Sequence, residues 1–472
     1  MKYEYDLICI GLGPAGMAVS VMGSEMGLKV AAVEKHKIGG ECMNCGCIPS
    51  KALLRMAQFR HQVGELAKMQ LTPRELPEPQ KLFEKIQKDL TFINEKKTMH
   101  MFDKVNLFLG QGEASFIDAH TVQVGEHRLT AKRIFIAAGT RPALLPVPGL
   151  AEAKPLTNEN LFHLEQVPDS LIVLGGGAIA VEMAQAFVRL GTKVTLLQRS
   201  SHILSKNDRE AALVVEETLK KEGVELVTGD TAKSIIRENG VVRLETNAGK
   251  VLEASEILAA SGREMSFASL KLENAGIRYS DKGIEVNKHL QTSAKHIYAI
   301  GDCNGYHLFS HAAMHQGMIA LMNSMIPKPM RMNFKKFVVP STVFSTPQIS
   351  MVGLGEEDLK KMGKRFESIV VRYGDYGAAI AEEIPEGFVK VFTNPRGRIF
   401  GVVIVGEGSG EMINEWALAV QQKLRMHQIM FLQHSFPTMG FLSKRVAEQW
   451  MMKRMKSSLL KRMAAFFFRI MP

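Results

Sequence analysis

At 472 residues, 46% of them hydrophobic and 23% charged, the chain is too long for one hydrophobic core and too apolar to be disordered. Its five cysteines are too few and too clustered for a disulfide scaffold, so they read as catalytic or metal-binding thiols in a reducing, cytoplasmic compartment. The formal charge of +11 is no nucleic-acid signature: eight Lys/Arg against one Glu fall between Lys444 and Arg469, which marks a local surface partner and not a basic groove.

The opening, MKYEYDLICIGLGPAG, reads as a strand and a turn, because the apolar run Leu7–Ile10 is too short for the core of a signal peptide. No apolar run reaches bilayer-spanning length. Tyr5–Ile10 is expected as a buried strand running into Gly11-Leu12-Gly13-Pro14-Ala15-Gly16. A small-residue helix follows over Met17–Met26, then a second strand, Lys29–Val33, ending on Glu34. Strand, glycine turn, helix, strand and terminal acid together form a dinucleotide-binding βαβ unit. Gly11 permits the tight turn, Gly13 lets backbone approach a pyrophosphate, and Gly16 lets helix and strand pack closely. The helix N-terminus stabilises phosphate charge, and Glu34 accepts hydrogen bonds from a ribose.

The next segment is Gly39-Gly40-Glu41-Cys42-Met43-Asn44-Cys45-Gly46-Cys47-Ile48-Pro49-Ser50-Lys51. Cys42 and Cys47 are expected at the start of a helix, where the helix N-terminus and Lys51 favour thiolate. A thiolate beside a flavin relays an electron pair as a disulfide/dithiol couple. A structural zinc site needs a second ligand pair, and none stands at a suitable spacing.

This segment resembles the redox-active motif of the flavoprotein disulfide reductases, the group that includes dihydrolipoamide dehydrogenase, glutathione reductase and mercuric ion reductase. The resemblance extends over about residues 3–450. It implies an α/β fold with two Rossmann-like dinucleotide-binding domains and a C-terminal α+β dimerisation domain. The divisions expected are an FAD-binding part in 1–150, an NAD(P)-binding domain in 151–265, a second FAD-binding or central part in 266–335, a dimerisation domain in 336–450 and a basic tail in 451–472. It implies FAD with NADPH or NADH, and a homodimer. Cys47 becomes the flavin-side charge-transfer thiol, Cys42 the exchanging thiol, and Lys51 a neighbour of flavin N5. Cofactor-contacting positions are expected at Ala15, Gly40, Ala114, Gly262 and Ser310 beside the glycines of the first turn.

Farther along, Ile134-Phe135-Ile136-Ala137-Ala138-Gly139-Thr140-Arg141-Pro142 is similar to the strand and turn that close the family's FAD domain. Ser170–Leu174, Gly175-Gly176-Gly177-Ala178-Ile179-Ala180-Val181-Glu182 and Lys193–Leu197 form a second βαβ unit, with Ala180 in the third glycine's place. By resemblance, Glu182 pairs with Lys51 and tunes hydride transfer. At the end of its second strand stands Gln198 and not an acid, and Arg199 suits a 2′-phosphate; this favours NADPH. Ala178 replaces a tyrosine lid that the family often has there, which leaves the nicotinamide pocket more open. Ile297-Tyr298-Ala299-Ile300-Gly301-Asp302 resembles the second FAD strand, with Asp302 placed for a ribityl hydroxyl.

Three departures stand out. The family carries a His-Pro-Thr segment with a Glu five residues after the His, an acid/base dyad donated across the dimer. Here Phe436 and Phe441 hold those places, and phenylalanine transfers no proton. Mercuric ion reductase likewise has Phe-Pro there, but it also carries a C-terminal cysteine pair; Arg469-Ile470-Met471-Pro472 has none. His434 is either a substitute base or a loop or interface histidine. Cys45 is the second departure: on a helix it shares a face with Cys42, as an alternative redox partner or soft-metal ligand, or it is a small buried residue. Cys9 and Cys303 are expected in the core.

The third departure is the tail. After Trp450, Met452, Met455, Leu459, Met463, Phe466 and Ile470 recur at helical spacing, flanked by Lys453, Arg454, Lys461, Arg462 and Arg469. With Trp450 and Phe466–Phe468 as interfacial groups, this reads as an amphipathic helix on an anionic membrane surface, or as a helix packed on protein. The expected activity is an FAD-dependent NAD(P)H oxidoreductase whose acceptor is non-standard: a quinone, a membrane partner or a metal ion. The alternatives are a conventional disulfide reductase and a redox-sensing, membrane-anchored flavoprotein without turnover.

Overall fold

A computed structural model describes residues 3–71 and 75–471. The first strand, Tyr5–Ile10, forms as its composition demands. Its aliphatic residues alternate between two cores, Ile8 and Ile10 into one and Leu7 and Cys9 into the other. It pairs in parallel with Val30–Glu34 and with the inner end of His127–Ile136. The outer end of that long strand turns antiparallel to Thr121–Val124. Ile297–Ala299 adds in parallel on its other side and completes a seven-stranded sheet. Strands buried on both faces are what a parallel sheet covered by helices requires. The helix Pro14–Glu25 covers one face and packs against Ser310–Met325; a Cβ on Gly317 would fall 2.5 Å from the Ala15 carbonyl oxygen, so only glycine permits the approach.

A second parallel sheet has four strands, Glu225–Thr228, Lys193–Gln198, Ser170–Leu174 and Glu256–Ala259, and carries the helix Ala178–Arg189. Three antiparallel strands, Ala232–Glu238, Val241–Thr246 and Val251–Ala254, close over it. The third unit is a five-stranded antiparallel sheet in the order Ser341–Val343, Ile349–Gly353, Ile399–Val405, Phe388–Thr393, Glu367–Arg372. Helices Ser409–Gln421 and Phe441–Met455 bury Trp416, Val446 and Trp450 against it.

The C-terminal region departs from expectation. Trp450 is not an interfacial group: it is 5% exposed and lies across Gly397, where a Cβ would meet its ring at 2.4 Å. The helix that carries it runs on to Met455, past the expected boundary at 450/451, with Met451 packed on the core and Arg454 over the Trp450 ring. The expected single amphipathic helix is two, broken at Lys456–Ser457, and the second spans Ser458–Ile470. Met463, Phe466, Phe467, Phe468 and Ile470 are exposed on it, while the side chain of Leu459 lies outside the described residues. No helix among the described residues is long and apolar enough to cross a membrane.

Candidate functional site

Both βαβ turns open on one continuous cavity of about 2400 Å³. In the first, Gly11 has φ +92°, and a Cβ there would lie 2.4 Å from the Ala137 carbonyl oxygen. A Cβ on Gly16 would come within 1.8 Å of the Gly11 oxygen, so the helix can start this close to the strand only without side chains. Gly13, by contrast, has open space beside it, and no side chain caps the helix that starts there. That is the open, amide-lined geometry a pyrophosphate needs. Glu34 is buried; one carboxylate oxygen accepts from the Leu12 amide at 2.8 Å and the other from the His36 amide at 2.9 Å. It braces the glycine turn while lining the cavity where a ribose is expected. Gly40, Ala114, Gly139, Gly301, Asp302 and Ser310 line the same cavity. Burial pushes Asp302 up to about 6.

The second turn repeats the pattern. Gly175 has φ +119° against the Ala260 oxygen, Gly177 opens on the cavity, and the helix Ala178–Arg189 has no side-chain cap. Gly262 and Arg199 line the cavity, Arg199 exposed at its wall. Gly176, which the glycine spacing did not single out, leaves room for the Gln198 side chain, which a Cβ there would meet at 2.8 Å.

The thiols lie between the two cradles. Cys42 belongs to the short helix Gly40–Asn44, and Cys47 opens a separate helix, Cys47–Gly64, so the one helix expected for both is interrupted at Cys45–Gly46. All five cysteines are free. Cys42 donates a hydrogen bond that, with Ser310 and Lys51, brings Cys47 down to about 6 against the opposing effect of burial. The same bond and burial push Cys42 up. The pair therefore carries one thiolate, held on Cys47, with Ser310 Oγ 3.3 Å from its Sγ.

Lys51 Nζ lies 2.9 Å from Glu182 Oε2, the carboxylate being 6% exposed. Phe344 was not visible in the sequence as a site residue, yet its amide donates to Glu182 Oε1 at 2.9 Å and its ring lies 4.3 Å from Lys51 Nζ. Arg263 was also missed, although it directly follows Gly262. It pairs with Glu41 and donates to Thr140 Oγ1 at the cavity wall.

Cys45 is not on the helical face of Cys42. It ends the short helix with φ −145°, and Asn158 Nδ2 lies 3.8 Å from its sulfur. Burial and the carboxylates of Glu41 and Glu159 push its thiol up to about 12, which favours the small, protonated side chain over a redox partner. Among the described residues no group of three His, Cys, Asp or Glu is placed to hold a metal ion. Cys9 and Cys303 are fully buried, and burial pushes both up to about 12.

On the third unit, Phe436 is 69% exposed, with its ring centroid 5.2 Å from that of Phe441. His434 turns inward: Nε2 lies 3.0 Å from Glu415 Oε1 and Nδ1 3.3 Å from the Leu432 oxygen.

Two dinucleotide cradles meeting at a thiol/thiolate pair define a flavin- and nicotinamide-dependent oxidoreductase. The chain belongs to the pyridine nucleotide-disulphide oxidoreductases, whose family model matches residues 5–317 and whose dimerisation domain matches residues 339–444. FAD and a nicotinamide dinucleotide are therefore its cofactors, and the dimerisation domain supports a homodimer. A mercuric reductase of Staphylococcus aureus is 33% identical over 90% of this chain and 79% of its own length. A dihydrolipoyl dehydrogenase of Geobacillus stearothermophilus is 33% identical over 94% of this chain and 96% of its own. Among solved structures, the Cu(II) complex of the HOCl-induced flavoprotein disulfide reductase RclA from Escherichia coli superposes with a TM-score of 0.85 at 26% identity, covering 95% of this chain and all of that one.

Proposed function

We propose that the enzyme moves electrons from NADPH through FAD to the Cys42/Cys47 pair and on to an acceptor that is not a small disulfide. The bound flavin supplies hydride acceptance. The chain holds Cys47 as thiolate with Cys42 and Ser310, and holds Lys51 in place through Glu182. The observation that carries the acceptor reading is the contact of two phenylalanine rings, Phe436 and Phe441, at the positions that the sequence resemblance aligns with the family's proton-carrying dyad. A disulfide acceptor leaves as two thiolates that must be protonated. One Hg(II), or two Cu(II) taking one electron each, oxidises the dithiol to the disulfide with its two protons released to solvent, and leaves no thiolate product to protonate. The names of two similar proteins, a mercuric reductase and a Cu(II)-bound reductase, favour a metal ion. Arg199, exposed at the second cradle, supports NADPH. The test is an anaerobic acceptor screen with the NADPH-reduced enzyme. Fast reoxidation by Cu(II) or Hg(II) and slow reoxidation by lipoamide or glutathione disulfide supports the proposal; the reverse order overturns it.

A second reading, a quinone acceptor at a membrane surface, is favoured by the helix Ser458–Ile470. Its phenylalanines and Met463 are exposed beside Lys461, Arg462 and Arg469. Each cation near an anionic surface contributes about 1 kcal/mol, and the apolar groups add burial. Flotation of the full chain with anionic vesicles, lost on truncation after Met455 and at high salt, supports this reading. Equal flotation of both forms removes it.

A further inference from the structure

We infer that Phe344 is a positioning residue for the redox centre: its ring and its amide together fix the Lys51–Glu182 pair beside Cys47. This rests on the proposed role of those groups at the flavin. The geometry is a closed three-way contact. Lys51 Nζ pairs with Glu182 Oε2 at 2.9 Å and sits 4.3 Å over the Phe344 ring. The remaining carboxylate oxygen, Glu182 Oε1, accepts from the Phe344 amide at 2.9 Å. A lysine on a flexible stem has many rotamers, and a carboxylate alone fixes only its end. An aromatic face below the ammonium restricts it to one approach, and a cation over a ring in a partly desolvated site is attracted to it.

The Phe344 ring is 37% exposed, but its backbone is tethered on both sides. It follows the strand Ser341–Val343 of the dimerisation sheet, and the residues after it are fastened to the helix that carries Glu182. Gln185 Oε1 accepts from the Thr346 amide at 2.7 Å, and Gln185 Nε2 donates to the Thr346 oxygen at 2.8 Å. Arg189 donates to Thr346 Oγ1 at 3.2 Å and is locked by Glu222. Glu182, Gln185 and Arg189 lie at helical spacing on one face, so residues 344–346 bind that face as a strip. The dimerisation domain thus reaches into the redox centre of its own chain, through the position of Lys51.

The groups that face Cys47 are Cys42, Ser310, Lys51, Glu182 and Asp302. Of these, Lys51 carries the charge that favours the thiolate. Loosening it raises the pH at which Cys47 ionises. The experiment follows thiolate formation at Cys47, by ultraviolet absorbance and by the pH dependence of alkylation, in reduced holoenzyme. It compares the native chain with Phe344→Leu, Phe344→Tyr, Lys51→Met and a ring-fluorinated phenylalanine at position 344. The fluorinated ring keeps shape and packing but loses the negative face. The expected result is an upward shift of roughly half a pH unit for the leucine and fluorinated variants, a larger one for Lys51→Met, and near-native titration for Phe344→Tyr. If Lys51→Met shifts the titration and neither the leucine nor the fluorinated variant does, the inference is overturned while the site reading stands. If Lys51→Met shifts nothing either, the site reading itself fails.

Discussion

The thiol centre and the Phe436–Phe441 end of the dimerisation domain differ in what their side chains can carry. Around Cys47, charge and hydrogen are handled at every contact: Cys42 donates, Ser310 lies at 3.3 Å, and Lys51 is paired with Glu182 at 2.9 Å. At the other end two aromatic rings meet edge to face at 5.2 Å, and His434 is paired with Glu415. The first region is equipped to receive electrons and store them on sulfur. In the second, the two rings themselves carry no proton, and the His434–Glu415 pair beside them is turned inward. On the proposed reading the two regions would serve successive parts of one cycle, electron storage and proton delivery.

The largest effect that sharpens this contrast is at Cys47. Cys47→Ser should abolish the long-wavelength charge-transfer band that forms on two-electron reduction, and with it acceptor turnover; anaerobic titration with NADPH reads this directly. The same band gives a pH test. Because the Cys47 thiol is lowered from an ordinary value of 9.0 to about 6, the thiolate persists above that pH and is lost as acid is added. The band should therefore fade as pH falls through about 6. A midpoint near 9 would show that the Cys42 and Ser310 contacts do not act as described.

The next effect attacks the other half. Phe436→His with Phe441→Glu should raise lipoamide or glutathione disulfide turnover, up to the order of 10²–10⁴-fold that acid/base catalysis contributes. No gain in steady-state assays would mean that the missing dyad is not what limits disulfide reduction. A smaller effect is expected at the second cradle: Arg199→Gln should raise KM for NADPH about tenfold and leave NADH little changed, the loss of one charge-assisted contact. The smallest is at His434. Both its ring nitrogens have partners within the chain, so His434→Gln should change disulfide turnover less than about twofold. A large loss there would make it the substitute base.

The sequence showed most where function depends on local spacing. The strands Tyr5–Ile10 and Ser170–Leu174 and both glycine turns follow from patterns within a few residues. Phe344 was invisible because its role exists only through Glu182, 162 residues away in the chain. Of the two readings of Cys45, the shared helical face with Cys42 fails because the backbone leaves the helix there at φ −145°. In the tail, amphipathic spacing does not reveal that Trp450 packs across Gly397 in the core or that the helix breaks at Lys456–Ser457.

The most direct test of the central claim is a two-stage stopped-flow experiment. NADPH first reduces the enzyme anaerobically until the charge-transfer band is full. The reduced enzyme is then mixed with Cu(II), a soluble quinone, lipoamide or glutathione disulfide. The account predicts rapid formation of the band, rapid decay with a metal ion or quinone, and decay slower by at least about 10²-fold with either disulfide. Decay as fast with a disulfide as with the best other acceptor would contradict it.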